Sequence, residues 1–183
     1  QILHPNFSES LKIKKKYDFL ITFGGFDERK IIQNILEELV KLPRSYRIKL
    51  ILGPGTIISP SILNFTKQNH KGIVITQKTN NMHKDISLSK YGICSGGLTT
   101  YEFASQHVPF TIICQARHQL DTAKEWEKLG IAKNLGLMNK KTKKHIIEFL
   151  KTNIDGNTFL SKKIFLDGLG GRRVSQEIKR LKK

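Results

Sequence analysis

The sequence predicts an α/β fold, a three-layer sandwich around a mostly parallel sheet of about six strands. Three observations predict it. Apolar runs of strand length alternate with segments of helical periodicity, joined by short loops. The runs are continuously apolar rather than alternating, as strands buried on both faces require. Two of them end in a Gly-Gly loop that opens directly into a helix, at Gly24-Gly25 and at Gly96-Gly97.

Residues 1–16 combine a proline, a Ser-containing patch and the run Lys12-Ile13-Lys14-Lys15-Lys16, which has the look of a lead-in linker ahead of a domain over 17–183. Tyr17 to Phe23 is apolar and β-favouring. It breaks at Gly24-Gly25-Phe26-Asp27 and continues as a helix from Glu28 to Leu42, with Ile31, Ile32, Ile35, Leu36, Leu39 and Val40 on one stripe. Asp27 is placed to cap that helix, Glu28 suits its first turn, and Pro43 ends it. A strand over Tyr46 to Leu52 closes at Gly53-Pro54-Gly55, and a short helix over Ser61 to Asn69 follows. Ile73 to Thr76 reads as a strand and Asn81 to Ser89 as a helix with Met82, Ile86 and Leu88 inward.

The central unit is Tyr91 to Glu102. Tyr91 to Cys94 is a strand, Ser95-Gly96-Gly97 a tight loop, and Leu98, Phe103 and Ala104 have the spacing of a helix that Pro109 stops beyond Gln106-His107. Phe110 to Cys114 is a buried strand, His118 to Leu129 a helix stopped by Gly130, and Ile131 to Leu135 a short strand. Helices over Lys141 to Lys151 and Thr158 to Leu166 follow. The turn Asp167-Gly168-Leu169-Gly170-Gly171 then leads into a last helix from Arg172, with Val174, Ile178 and Leu181 aligned.

Glycines at 96 and 97 let the chain turn sharply and let a ligand approach the main chain, while the first N–H groups of the helix point into the gap and attract phosphate. Thr99 and Thr100 add hydroxyls, and Glu102 projects a carboxylate one turn in. A pyrophosphate on the loop and a ribose on Glu102 fit this pattern. The same residues also fit a plain strand-to-helix connection with Glu102 as a favourable first-turn acid. In open parallel sheets ligands bind beyond the carboxyl ends of the strands, and both Gly-Gly loops lie at such ends.

The 183 residues suffice for one domain with a real core, and 38% hydrophobic content is ordinary. No apolar run reaches the roughly 20 residues of a membrane span, and the start carries no signal-peptide pattern. Cys94 and Cys114 lack the spacing of a zinc site and read as buried thiols of a protein in a reducing cytoplasm. The formal charge of +17 suggests an anionic partner, with a peripheral contact to an anionic membrane among the options. The lysines and arginines are scattered, without the interleaved aromatics of a single-strand binder or a groove-reading helix, so no specific nucleic acid is expected.

Five stretches carry a family resemblance. Ile21-Thr22-Phe23-Gly24-Gly25-Phe26-Asp27, Ser95-Gly96-Gly97-Leu98-Thr99-Thr100-Tyr101-Glu102, Val108-Pro109, His118-Gln119 and Asp167-Gly168-Leu169-Gly170-Gly171-Arg172-Arg173-Val174 occur in this order. Together they resemble the nucleotide-sugar hydrolase of pseudaminic-acid synthesis and the related spore-coat polysaccharide glycosyltransferases. More distantly they resemble the C-terminal half of the N-acetylglucosaminyl transferase of peptidoglycan synthesis. The resemblance spans nearly the whole chain and implies one half of a glycosyltransferase B fold, in which two Rossmann-like halves face a cleft and the C-terminal one holds the UDP of a UDP-sugar donor.

By that resemblance Gly97, Leu98 and Thr99 meet the diphosphate, with Gly96 in the same loop, and Glu102 takes the ribose hydroxyls. His118 and Gln119 approach the phosphate or sugar, and residues near Thr79 contact the uracil through the backbone. Gly24, Gly25 and Phe26 contribute backbone contacts, since Phe26 stands where the peptidoglycan enzyme has a serine. No cofactor or metal is implied, because helix N-termini can stabilise a leaving diphosphate. The relatives take their catalytic histidine from the N-terminal half. His4 does not match that motif, so no catalytic residue is assigned here, and the N-terminal half is expected in cis, before Gln1, or in trans.

Among single residues, His118 at a helix start suits a ligand-facing donor or an exposed cap. His83 and His107 read as structural, and Trp126 as core rather than a stacking platform. Asp85 and Asp121 lack a carboxylate or histidine partner at a telling spacing and read as surface or capping groups. The reading from another class is a basic interaction module that holds an anionic polymer or membrane surface without catalysis.

Overall fold

A computed structural model describes residues 2–27, 30–39, 46–56, 59–61, 64, 68, 72–139, 142, 145–146, 148 and 166–181. Strands β1 (Tyr17–Thr22), β2 (Ile48–Leu52), β3 (Ile73–Gln77), β4 (Ser89–Cys94), β5 (Phe110–Cys114) and β6 (Ala132–Leu137) form one sheet in the order β3-β2-β1-β4-β5-β6. Every pairing is parallel. The helices are α1 (Ile31–Leu39), α2 (Met82–Ser87), α3 (Thr99–Ser105), α4 (Gln119–Lys128) and α5 (Gly170–Leu181). The expected α/β sandwich is therefore the observed one.

Both faces of the sheet are covered. Phe19 and Ile21 of β1, with Tyr91 and Ile93 of β4, pack under the Ile31, Ile32, Ile35 and Leu36 stripe of α1. Leu20, one residue out of phase, joins Ile86, Phe103, Phe110, Ile112, Ala123 and Trp126 on the other face. Burying each large aliphatic side chain contributes about 1.5–3 kcal/mol, and the charged residues of β1 and β4, Asp18 and Lys90, sit near their first ends and pair with each other. Gly92 is part of the same fit, since a Cβ there would lie 2.3 Å from the Phe103 ring.

The edges depart most from the sequence reading. β3 is half exposed and runs on to Gln77, and β6 starts at Ala132 and reaches Leu137 through a register shift beside Gly136, whose φ is +75°. Edge strands bury less and need no continuous apolar run. The segment expected as an unpacked lead-in also lies against the domain. Pro5–Phe7 form a 3-10 turn, Leu3 and Phe7 are buried in the second core, and the Gln106 carboxamide accepts from Leu11 N–H while donating to the Glu9 carbonyl. Two apolar anchors in a polar stretch carry no periodic signal.

α5 starts at Gly170, two residues before expectation, and its Val174, Ile178 and Leu181 are 46%, 51% and 86% exposed. The expected helices over 61–69, 141–151 and 158–166, the ends of the helix over 28–42 and Pro43 lie largely or wholly outside the described residues. No helix among the described residues is long and apolar enough to cross a membrane.

Candidate functional site

β1 and β4 lie side by side at the centre of the sheet, with Thr22 opposite Cys94, and β1 is where the connection order reverses. Because the strands are parallel, the loops that follow them open on the same rim. The Gly24-Gly25 and Gly96-Gly97 loops are thus neighbours, separated by one strand spacing.

The first loop is held from the β2 side. Gly24 has a φ of +73°, Gly55 N–H donates to the Gly25 carbonyl at 2.9 Å, and a Cβ on Gly53 would fall 1.8 Å from the Gly24 carbonyl oxygen. Phe26 is exposed, and its ring lies over Gly55. Asp27 caps α1 as expected, Oδ1 accepting from Ile31 N–H at 2.8 Å and Oδ2 from Ile32 N–H at 3.0 Å. Burial pushes its carboxyl above the usual carboxylate range, against the pull of those two bonds. The start of α1 is therefore already occupied by a protein carboxylate.

In the second loop Ser95 and Gly96 are buried, Gly97 is half-buried and Leu98 exposed. Gly96 is required by packing, since a Cβ there would meet the Gln119 carbonyl oxygen at 2.8 Å. Gly97 is not, because the nearest atom to its Cβ position is Ser95 Oγ at 4.0 Å. The first amides of the turn to find backbone acceptors are those of Thr100, on Gly97, and of Tyr101 and Glu102, on Leu98. The Thr100 hydroxyl donates to the Gly97 carbonyl at 2.8 Å and fixes the turn from beneath.

Glu102 is half-buried in the first turn of α3. Burial raises its carboxyl above the ordinary glutamate value, and the Thr99 hydroxyl bonded to it offsets only part of that. Burial likewise pushes the Cys94 thiol well up, helped by the Glu102 carboxylate and by Cys114.

The remaining expected residues divide between two sides of the rim. Gly24 and Thr79 line a cavity of about 330 Å³ with Thr22, Gly53, Pro54 and Lys78. The Thr79 hydroxyl donates to Asp85 Oδ2 at 2.8 Å, and Asp85 Oδ1 sits 3.5 Å from Lys49 Nζ. Asp85 is thus a half-buried tether for the 78–80 loop rather than a surface or helix-capping group, and Thr79 has its backbone left to offer. On the other side Gln119 backs Gly96, its Oε1 accepting from Gln115 N–H at 2.8 Å, while His118 is exposed at the start of α4. Gln115, which the sequence reading passed over, also donates from Nε2 to the Phe23 carbonyl at 2.9 Å. The only signal it carries locally is its place directly after a strand end.

The Asp167 to Val174 motif lines a second cavity, of about 170 Å³, with Leu3 and Tyr101. Asp167 accepts from both terminal nitrogens of Arg173, at 2.6 and 3.0 Å, and from Leu169 N–H. The Arg173 guanidinium holds its carboxyl down at about 2. Gly168 is packed against Ser8, and Ile2 lies 3.5 Å from the Cβ position of Gly171, so the motif clasps the first residues of the chain.

No protein-family profile matches the chain. It is 28% identical over 142 residues to the spore coat polysaccharide biosynthesis protein SpsG of Bacillus subtilis, covering 74% of this chain and 42% of that protein. Its fold covers 98% of this chain and 45% of the spinosyn rhamnosyltransferase SpnG solved with thymidine diphosphate, at a TM-score of 0.57 and 12% identity. Against the S. aureus MnaA–UDP co-structure it covers 92% of this chain and 45% of that one, at a TM-score of 0.58 and 16% identity. The chain thus spans less than half of each, and it has the Rossmann-like fold of one half of glycosyltransferase B proteins.

Proposed function

We propose that this chain binds the UDP part of a nucleotide-sugar donor, as the C-terminal half of a glycosyltransferase or nucleotide-sugar hydrolase in polysaccharide or sialic-acid-like sugar synthesis. One observation carries the reading. Glu102 is half-buried beside the rim shared by both Gly-Gly loops, where burial raises its carboxyl and the Thr99 hydroxyl offsets only part of that, so further donors would favour the carboxylate. Two adjacent ribose hydroxyls are such donors. The sequence likeness to a polysaccharide biosynthesis protein and the fold likeness to two proteins solved with nucleoside diphosphates support it.

In this reading the main chain at Gly97, Leu98 and Thr99 meets the diphosphate, with Gly24, Gly25 and Phe26 supporting from the adjacent loop. His118 and Gln119 border the phosphate or sugar. The base enters the cavity beside Gly24 and is read by the backbone around Thr79. Chemistry needs a companion half, in cis or in trans, that positions acceptor or water, so the 183 residues alone bind the donor without turning it over. The unpaired, buried Cys94 and Cys114 suit a cytoplasmic setting.

Calorimetric titration with UDP, CMP and ADP tests the proposal. UDP is expected to bind weakly and selectively, and indifference to all three ends it. A second reading draws on α5, where Arg172, Arg173, Lys179 and Arg180 are exposed beside Val174, Ile178 and Leu181, a surface suited to an anionic polymer or membrane. Salt separates the two. Polyanion binding falls steeply with ionic strength, whereas a nucleotide pocket responds modestly and prefers one base.

A further inference from the structure

We propose that Gln115 is a positioning residue, a bracket that sets the Gly24-Gly25 loop at a fixed distance from the Ser95 to Leu98 loop so that one bound diphosphate reaches both. The inference rests on the nucleotide reading above. Gln115 directly follows β5, and in the sheet β4 lies between β5 and β1. Its side chain therefore reaches over the end of β4, under the second loop, to donate from Nε2 to the carbonyl of Phe23, the residue before Gly24, at 2.9 Å. Its own N–H donates to Gln119 Oε1 at 2.8 Å. Gln119 in turn lies against Gly96, whose Cβ position is 2.8 Å from the Gln119 carbonyl oxygen and 2.9 Å from its Cβ. One carboxamide pair thus ties the exits of three strands.

The far flank of the first loop is braced independently by Gly55 N–H on the Gly25 carbonyl. With that side fixed, the distance between the two loops depends on the bracket. A single neutral hydrogen bond contributes little to global stability. A ligand gripped by two loops, however, loses affinity when they are not already set at the right separation.

The test compares Gln115→Ala and Gln115→Glu with the wild-type 183-residue chain. Glutamate keeps the length but replaces the donor by an acceptor facing the Phe23 carbonyl. Three quantities are measured: binding of UDP, amide hydrogen exchange over 23–26, and the unfolding midpoint. Both variants should bind UDP about 10-fold more weakly, the equivalent of one lost hydrogen bond. Exchange over 23–26 should be faster, and the midpoint lowered by no more than about 4 °C. Undiminished UDP affinity in both variants overturns the proposal. So does a loss of affinity that comes with a larger fall in the midpoint, which would mark a purely structural role. If the wild-type chain binds no nucleotide, the nucleotide reading fails and takes the diphosphate role with it; unchanged exchange over 23–26 separately removes the bracket.

Discussion

The indole Nε1 of Trp126 donates to Thr100 Oγ1 at 2.9 Å, and that hydroxyl in turn donates to the Gly97 carbonyl at 2.8 Å. Trp126 is buried against Phe110 and Tyr101, so the expectation of a core tryptophan holds, with a second task of bracing the Gly97 turn from α4.

Thr100→Val strands the indole N–H in the core and should lower stability by about 1–3 kcal/mol. Adding Trp126→Phe to that variant should then add less than Trp126→Phe does alone. Denaturant unfolding of the two single variants and the double variant measures the coupling, expected at 0.5 kcal/mol or more by the usual range for residues in direct contact, roughly 0.5–3 kcal/mol. Strict additivity would show that the bond is not formed.

Gly96 and Gly97 should respond in opposite ways to a methyl group. Gly96→Ala drives a Cβ to 2.8 Å from the Gln119 carbonyl oxygen and should destabilise by about 1–3 kcal/mol. Gly97→Ala places its Cβ in open space, 4.0 Å from Ser95 Oγ, and should alter stability by less than about 0.5 kcal/mol. It nevertheless fills the room where a diphosphate would approach the main chain, so UDP binding should weaken sharply. Unfolding curves paired with a UDP titration test both; a Gly97→Ala protein that binds normally contradicts the placement.

Glu102 makes a pH-dependent prediction. Its native pKa is raised by burial above the ordinary value of 4.5, so the folded chain holds that proton more tightly than the unfolded chain does. Its contribution favours folding below the ordinary value and is lost as pH rises through the native one. Glu102→Gln stays neutral throughout. The variant should therefore be more stable than wild type at pH 7, the gain should vanish below the ordinary glutamate value, and UDP affinity should fall. Unfolding midpoints across pH check the first two. A variant less stable than wild type at pH 7 would mean that the carboxylate is already well paired in the protein.

What was legible in the sequence follows from how local the physics is. β1, β4 and β5 could be read because burial on both faces leaves apolar runs, and Asp27 because a cap acts within five residues of itself. Glu102 could be put in the first turn of α3 because the Gly-Gly break sets where that helix begins. Gln115 could not, since its bond to Phe23 joins positions 92 residues apart and leaves no local pattern. The Asp85–Lys49 ion pair is of the same kind. Leu3 and Phe7 were missed because two anchors make no period. In α5 the period gives an apolar stripe but says nothing of what meets it.

The most direct test is a crystal structure of the chain soaked with UDP. The account predicts the diphosphate against the main chain of Gly97 to Thr99, both ribose hydroxyls on the Glu102 carboxylate, and the base in the cavity beside Gly24. UDP seated elsewhere, or bound on this rim with Glu102 making no contact to the ribose, would contradict it.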